Sequence, residues 1–188
     1  MKTRKIRGRI FVSLCLLILV FDTFSCSLYS TNKPDPTPIW KFEPEAIHIR
    51  YRADESLNFF SNNPHTLVLI VFQLSGIDTF NDYAKNEDGL KKLLYVGSVD
   101  PTVVRTDKFI LQPGERKTII LDRGENVKWV GIVAGYYELM PRLVNQTFQI
   151  PVVIEIIGKI RKKKIAKIEH LSISLFFGSH IIRKDGDY

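Results

Sequence analysis

The chain has 188 residues, of which 45% are apolar and 25% charged, a composition typical of a globular protein with one core. The formal net charge of +7 suggests a nucleic-acid-binding protein, but residues 1–25 hold five positive charges and one negative, and the rest of the chain carries +3. Six cations fall within residues 159–167, so the remaining sequence is net acidic. No broad basic surface is expected, which argues against a nucleic-acid partner.

Residues 1–25 have the layout of an export signal. A basic head precedes an apolar run of about 12 residues (10–21), within the range of a signal core and short of the ~20 residues that cross a bilayer. Ser25 then precedes Cys26 where an exported chain is cut, which is similar to a bacterial lipoprotein signal. Cys26 is therefore predicted to become the first mature residue and to carry acyl chains that insert into lipid.

Two other interpretations of this stretch remain open. In the first, Cys26 is a free or buried thiol beside an ordinary cleavage site. In the second, residues 10–28 form an uncleaved membrane anchor, which places Asp22 in hydrocarbon at a cost in free energy. The other cysteine, Cys15, lies inside the signal. The exported domain is therefore expected to fold without a disulfide.

Residues 26–38 are predicted to form the lipidated N-terminus and a tether, because their prolines favour an extended polyproline-like path. A single folded domain is predicted over residues 39–188. Its strands are predicted from alternation and from short apolar runs between turn formers. The predicted strands are residues 46–52, 67–74, 103–111, 117–121, 127–137, 148–157 and 165–177, with a turn at Pro113 and Gly114.

These strands follow one another about 8 to 12 residues apart, which predicts an all-β fold, an antiparallel β-sandwich of about eight strands. Helical periodicity within residues 77–95 predicts a small helical insertion of two short helices, the second capped by Asn86. The basic run at residues 159–167 is interpreted as a solvated hairpin tip or a protected strand edge. Contact with anionic lipid or cell-wall polymer is the alternative.

Motifs that carry catalysis are absent from the sequence: it has no Gly-x-Ser-x-Gly, phosphate loop, dinucleotide fingerprint or His-Glu-x-x-His. Asp185 and Asp187 are too few to hold calcium and are expected in a disordered tail. We predict no enzymatic activity, no metal, and no cofactor other than the covalent lipid on Cys26. Four histidines are scattered at spacings that suggest no metal site: His48, His65, His170 and His180.

One polar segment between the first two predicted strands contains large apolar side chains, namely Leu57, Phe59 and Phe60. Aromatic anchors ringed by polar residues are typical of protein interfaces. The alternative is that these side chains fold down onto the end of the sandwich.

Several short pieces occur in a fixed order behind the lipid-type signal and the tether. They are Leu57-Asn58, Val71-Phe72-Gln73-Leu74, Phe80, residues 89–94, Leu111 with Pro113-Gly114-Glu115, and residues 130–137 with Ala134-Gly135-Tyr136. Together they resemble the outer-membrane lipoprotein of the bacterial type VI secretion membrane complex, the TssJ (VasD) family.

The resemblance implies a transthyretin-like sandwich with a tethering function. The lipid would hold the domain on the periplasmic face of the outer membrane, and Ser27 is consistent with sorting to that membrane. The loop between the first two strands would contact the periplasmic domain of the inner-membrane component TssM. Carried onto this sequence, the partner-binding loop consists of Asp54, Glu55, Ser56, Leu57, Asn58, Phe59, Phe60, Ser61, Asn62, Asn63 and Pro64.

Two other classes of function remain open. One is a periplasmic or membrane-anchored β-sandwich that binds a cell-wall glycan or a small ligand, which requires a concave site with convergent polar groups. The other is a hydrolase with an unrecognised site, for which the sequence offers no identifiable pair of nucleophile and base.

Overall fold

The computed structural model describes residues 35–96, 101–159 and 161–185. The predicted signal, Cys26 and most of the predicted tether lie outside the described residues. The elements of the described part are, in order, β1 (Glu43–Ala53), β2 (Leu67–Leu74), α1 (Asp78–Ala84), α2 (Glu87–Val96), β3 (Val103–Leu111), β4 (Arg116–Arg123), β5 (Trp129–Ala134), β6 (Asn145–Gln149), β7 (Val152–Ile157), β8 (Lys163–Ile168), β9 (Leu171–Phe177) and β10 (Ile182–Lys184).

Eight of these strands form two four-stranded sheets, in the orders β10-β9-β1-β4 and β3-β2-β5-β6. Side chains from both sheets and from the two helices share one buried core. The predicted antiparallel β-sandwich of about eight strands with a small helical insertion is confirmed. One pair differs, because β1 and β9 run parallel, from Ile47 opposite Leu171 to Ala53 opposite Phe177.

The burial of β1 and β2 follows from their sequence patterns. In β1, Ile47 and Ile49 are buried, whereas the next residue, Arg50, is exposed. In β2, seven of eight residues are buried, because both of its faces are covered. The helical insertion covers one face, where the rings of Phe72 and Phe80 lie 5.5 Å apart. The apolar run therefore predicted a central strand correctly.

The predicted cap of the second helix is confirmed, since Asn86 Oδ1 accepts a hydrogen bond of 2.8 Å from the Gly89 backbone N–H. Within the described part of the chain, no helix has the length and apolarity needed to span a membrane.

Two predicted strands are broken in the structure. The predicted strand 148–157 divides into β6 and β7 at Pro151, and 165–177 divides into β8 and β9. The chain leaves the sandwich at Pro151 and returns at Glu169, whose N–H donates to the Pro151 carbonyl at 2.9 Å. Between these two residues, β7 and β8 pair with each other as a separate two-stranded hairpin. Of the basic run at residues 159–167, predicted as a hairpin tip or a protected edge, only the part before Lys163 belongs to the tip, and Lys163, Lys164 and Lys167 lie in β8.

The chain end also differs from the prediction of a disordered tail. Ile182–Lys184 forms β10 beside β9, and the Asp185 N–H donates to the Ser174 carbonyl at 2.9 Å. The Asp185 carboxylate lies 3.2 Å from the Arg52 guanidinium. Asp187 lies outside the described residues. A three-residue strand has too little periodicity to be recognised without its neighbour.

The parallel pairing of β1 and β9 gives the sandwich two distinct ends. The segments before both strands lie at one end, which we call the tether end, where the Asn126 N–H donates to the Trp40 carbonyl at 2.9 Å. The segments after both strands lie at the opposite end, which we call the loop end, where the Asp54 N–H donates to the Phe177 carbonyl at 2.8 Å. The β7–β8 hairpin leaves the sandwich at the tether end, because it connects directly to Leu171 at the start of β9.

Arg123 fixes the chain at the tether end. Its buried guanidinium lies 2.9 Å from the Glu43 carboxylate, donates a 3.0 Å hydrogen bond to the Lys41 carbonyl and lies 5.9 Å from the centre of the Trp40 ring. Charge-assisted hydrogen bonds of this kind are stronger than neutral ones. The segment that follows the predicted tether is therefore held firmly to the sheet.

Candidate functional site

The predicted partner-binding loop, residues 54–64, lies at the loop end. It begins with a turn in which Asp54 Oδ1 accepts hydrogen bonds from the Ser56 hydroxyl at 2.7 Å and the Ser56 N–H at 2.8 Å. These bonds stabilise the carboxylate and hold the pKa of Asp54 below its usual range. The Ser56 hydroxyl also lies 2.8 Å from the Ser179 hydroxyl, which joins the loop to the turn after β9.

The middle of the loop faces inward. Leu57 is fully buried in the common core, and the His65 N–H donates to its carbonyl at 2.9 Å. Asn58 is buried as well: its amide nitrogen donates to the Thr66 carbonyl, and its amide oxygen accepts from the Tyr137 N–H, both at 2.9 Å. The expectation that Leu57 offers an exposed contact is therefore corrected, and these two residues hold the loop in shape.

The tip of the loop is a tight turn. Phe60 and Asn63 exchange backbone hydrogen bonds of 2.9 and 3.0 Å, and Ser61 and Asn62 between them have φ of 49° and 62°. Two central residues with positive φ are the feature of a type I′ turn, whose twist matches paired extended segments. Asn tolerates this conformation better than most residues. Glu55, Ser61, Asn62, Asn63 and Pro64 are exposed.

Three exposed aromatic residues occur at or beside this turn, and we call Phe59, Phe60 and Tyr137 the aromatic patch. They are 36%, 45% and 55% exposed. The rings of Phe60 and Tyr137 are stacked, with centroids 4.4 Å apart and planes 14° apart, and His65 meets Tyr137 edge-on at 4.9 Å. The stacking presents a preformed apolar surface, because the rings are already fixed against each other.

Tyr137 is the member of this patch that the sequence did not indicate. It follows β5 and lies 77 positions after Phe60 in the chain, so only the folding of both sheets brings the two rings together. Its neighbour Tyr136 points the other way: burial raises the pKa of Tyr136, whose hydroxyl donates to the Ile181 carbonyl at 3.0 Å. The only sequence signal was a pair of tyrosines at the end of an apolar run.

A shallow groove of about 380 Å³ continues from the aromatic patch toward α2. Tyr95 on α2 is 83% exposed at its far side. The Lys91 and Glu87 side chains on its wall pair with each other at 2.7 Å, so their charges are mutually compensated. The groove is lined, among others, by Asn58, His65, Tyr137 and Leu139.

The remaining residues considered in the sequence are not members of the aromatic patch, and of them only His180, next to Ser179, is at the loop end. Cys26 is outside the described residues. In the described ranges, no three His, Cys, Asp or Glu side chains come together in a group that could hold a metal ion. His48 and His170 are at the tether end, where the latter lies 3.2 Å from the Glu43 carboxylate, and His180 lies 4.0 Å from Glu138.

Comparison with known protein families identifies the chain. Residues 45–164 match the family model T6SS-SciN, described as type VI secretion lipoprotein, VasD, EvfM, TssJ. The chain belongs to this family. The TssJ family is one of secretion lipoproteins and not a known class of enzyme. No curated protein matches the sequence.

Solved structures of similar fold come from the same secretion system. Serratia marcescens Lip, a membrane-bound component of the type VI secretion system, is 15% identical, with a TM-score of 0.59 over 77% of this chain and 100% of Lip. The lipoprotein TssJ1 from Pseudomonas aeruginosa is 20% identical, with a TM-score of 0.55 over 74% of this chain and 94% of TssJ1. A structure described as the TssM C-terminal domain from EAEC is 15% identical, with a TM-score of 0.52 over 74% and 96%. At these identities the likeness shows the TssJ-type fold.

Proposed function

We propose that this TssJ-family protein is a non-enzymatic anchor, an outer-membrane lipoprotein on the periplasmic face that docks on the periplasmic domain of an inner-membrane TssM-like component. Lipid on Cys26 would attach the protein to the membrane, and the loop end would bind the partner. The observation that carries the proposal is the separation of the two ends. The chain enters the sandwich at the tether end, past Trp40, and the aromatic patch lies at the opposite end.

The chemistry of the aromatic patch supports docking of a protein. Interfaces are enriched in aromatic residues, and a few anchors that fill pockets supply most of the binding energy. The polar residues of the turn, Ser61 to Asn63, are exposed and directly follow Phe60, as polar rim residues do in an interface. The affinity need not be high, because a lipid that fixes one end of the protein raises its effective concentration near the partner.

The docking step is tested by capture of the TssM-like periplasmic domain from the same producer. The double variant Phe59→Ser and Phe60→Ser should lose capture by at least about tenfold, the loss expected when hot-spot aromatics are removed. The matched control is Ile110→Ser with Ile120→Ser, which removes two exposed apolar side chains from β3 and β4. Equal capture by both variants would remove the aromatic patch from the interface, and thermal unfolding identifies any variant that is misfolded.

The lipid step is tested by the mass of the N-terminal peptide from membranes of a Gram-negative producer. We expect a peptide that begins at Cys26 with the mass of its acyl chains, and loss of the protein from the membrane fraction after Cys26→Ala. An N-terminal peptide that begins at Met1, or one cut elsewhere without acyl mass, would contradict the anchor.

The shallow groove favours one second candidate, the binding of a cell-wall glycan or small ligand. Its volume of about 380 Å³ lies at the lower end of the range of ligand sites. A thermal-shift screen with cell-wall glycans separates the two functions. An increase in melting temperature that is abolished by Tyr137→Ala and by His65→Ala would favour the ligand-binding module. If the protein is only an anchor, no increase is expected.

A further inference from the structure

The β7–β8 hairpin is unusual because β7 is exposed along its whole length, while β8 is half-buried at Ile165, Ala166 and Ile168. β7 is exposed at all six positions, and Ile156 is 63% exposed. The hairpin forms its own two-stranded sheet, apart from both sheets of the sandwich. An isolated hairpin is marginally stable in water, and contiguous exposed apolar surface usually marks an interaction site. The hairpin therefore needs an explanation beyond the packing of the sandwich.

The two faces of the hairpin differ in chemistry. Residues directly opposite each other in an antiparallel pair lie on the same face. One face carries three apolar side chains of β7, each opposite a residue of β8, and only the last pair includes a charge. The other face is mixed. The pairs of the first face are Val152 with Ile168, Ile154 with Ala166, and Ile156 with Lys164.

The tip of the hairpin is strongly basic. Six cationic side chains and two carboxylates fall within residues 152–169. Lys167 pairs with Glu169 at 2.9 Å, and Lys164 pairs with Asp35 at 2.7 Å. Among the described residues, no carboxylate lies within ion-pair distance of the four other cations, which are exposed and free to meet an anionic surface: Lys159, Arg161, Lys162 and Lys163.

The basic tip also lies beside the segment that leads to the proposed anchor. Asp35, which pairs with Lys164, is nine positions after Cys26. Nine extended residues span at most about 30 Å. A lipid on Cys26 would therefore keep the hairpin near the membrane, whereas the aromatic patch is at the opposite end of the sandwich. This step rests on the lipid anchor proposed above.

We propose that the β7–β8 hairpin lies on the anionic phospholipid surface of the membrane that holds the chain. The four free cations contact lipid phosphates, and the face with Ile154 and Ile156 contacts the acyl boundary. Each Lys or Arg near an anionic bilayer improves membrane binding about fivefold. Stable anchoring commonly combines an acyl chain with a basic cluster. The hairpin would thus orient the sandwich, with its loop end directed away from the membrane.

Protection of strand edges explains the hairpin less well. Edge-protecting lysines interrupt an apolar strand along its length, but β7 carries a single charge, Glu155, and its exposed edge is otherwise apolar. The cations concentrate instead on the turn and the first half of β8. A hairpin that lies flat on the membrane can place its apolar face at the acyl boundary while the cations stay at the level of the headgroups.

The test is hydrogen exchange of the full protein, purified from the membranes of its producer and reconstituted into vesicles. Vesicles of neutral phosphatidylcholine are compared with vesicles that also contain phosphatidylglycerol, at low and high salt. We expect peptides that cover residues 152–168 to exchange several-fold more slowly on the anionic vesicles at low salt only. Peptides of the loop end, residues 54–64, should exchange equally on both.

Two variants sharpen the result. The first replaces the four free cations, Lys159, Arg161, Lys162 and Lys163, by Gln and should lose the protection. The matched control replaces four exposed cations of the sandwich, Arg50, Lys108, Arg116 and Lys117, by Gln and should keep it. Protection that is equal on neutral and anionic vesicles, or equal in both variants, would overturn the proposal.

Other molecules that could cover the apolar face of the hairpin would give different results. Protection that rises with protein concentration in detergent would assign the apolar face to a second copy, and protection only in the presence of the TssM-like domain would assign it to that partner. Either result overturns the proposal. The mass of the N-terminal peptide is read in the same digest, so a missing acyl chain is distinguished from a hairpin that does not bind lipid.

Discussion

Leu57 and Phe60 are only three residues apart, but the backbone between them reverses their environments. Asn58, with a φ of 49°, turns the chain and uses its amide to bond both Thr66 and Tyr137. Leu57 is thereby directed into the core, and Phe60 is directed outward onto Tyr137. At the scale of single residues, the loop therefore contains buried structural positions and exposed positions side by side.

Leu57→Ala should reduce the stability of the whole domain. The side chain is fully buried, and its truncation leaves a cavity, which typically lowers the free energy of unfolding by roughly 2–5 kcal/mol. Ile110→Ala is the control, because Ile110 is exposed and its change should stay within about 0.5 kcal/mol. Urea unfolding measures both, and equal effects would show that Leu57 is not a core residue.

The ionisation of Asp54 should make the free energy of unfolding of the domain depend on pH. Hydrogen bonds from Ser56 lower the pKa of Asp54 in the folded state, so its contribution is complete above the unfolded pKa of about 4 and is lost as pH falls through the lower folded value. Asp54→Asn should therefore be less stable than the parent at neutral pH, and the difference should shrink below about pH 4. Urea midpoints of both proteins across this range provide the measurement, and a constant difference would contradict it.

At the scale of elements, the helical insertion depends on one close approach. Phe80 on α1 rests on Gly131 of β5, where an added Cβ would lie 2.7–3.0 Å from three carbons of the Phe80 ring. Gly131 lies opposite Phe72 in the sheet, and the Phe80 ring, which occupies the space that the missing side chain leaves, lies 5.5 Å from the Phe72 ring. Gly131 is therefore the point at which the insertion approaches the β5 backbone most closely.

Gly131→Ala should loosen the insertion by overpacking. Forcing a methyl group into a packed core typically costs about 1–3 kcal/mol, and here the buried ring of Phe80 has to move. We expect faster hydrogen exchange in residues 78–96 together with a lower urea midpoint. Gly76→Ala is the control, since a Cβ there meets Thr102 at an ordinary 3.5 Å. Unchanged exchange in the Gly131 variant would contradict this packing.

At the scale of the whole molecule, both sheets and the insertion share one core, so the described domain should unfold in one step. The sequence has cysteines only at positions 15 and 26, so no disulfide crosslinks residues 35–185. Urea curves from tryptophan fluorescence and from far-ultraviolet circular dichroism should coincide, with and without reducing agent. Curves that separate, or a midpoint that reductant lowers, would contradict this prediction.

Local patterns were sufficient where neighbours along the chain decide the structure. The bounds of β2 and β3, the Asn86 cap and the turn at Gly114, whose φ is 73°, all agree with the sequence interpretation. Each rests on alternation, on a side-chain bond within three residues or on a backbone conformation that glycine favours. Family membership rests on the sequence as well.

The candidate site was predictable only in part. The position of the loop followed from the resemblance, but the burial of Leu57 and the contact of Phe60 with Tyr137 depend on residues far apart in sequence. The same holds for the break at Pro151, where an apolar run contains both a sandwich strand and a hairpin strand. Hydrophobicity alone does not say which of two sheets a strand joins.

The sequence by itself determined the all-β class, the helical insertion, the family and the acidic character outside the basic run, because these depend on composition and short-range periodicity. The tertiary structure alone decided the parallel pairing of β1 with β9. That pairing separates the tether end from the loop end and sets the exposed hairpin beside the start of the folded chain. Long-range strand pairing is chosen by the packing of the complete core, which no local segment encodes.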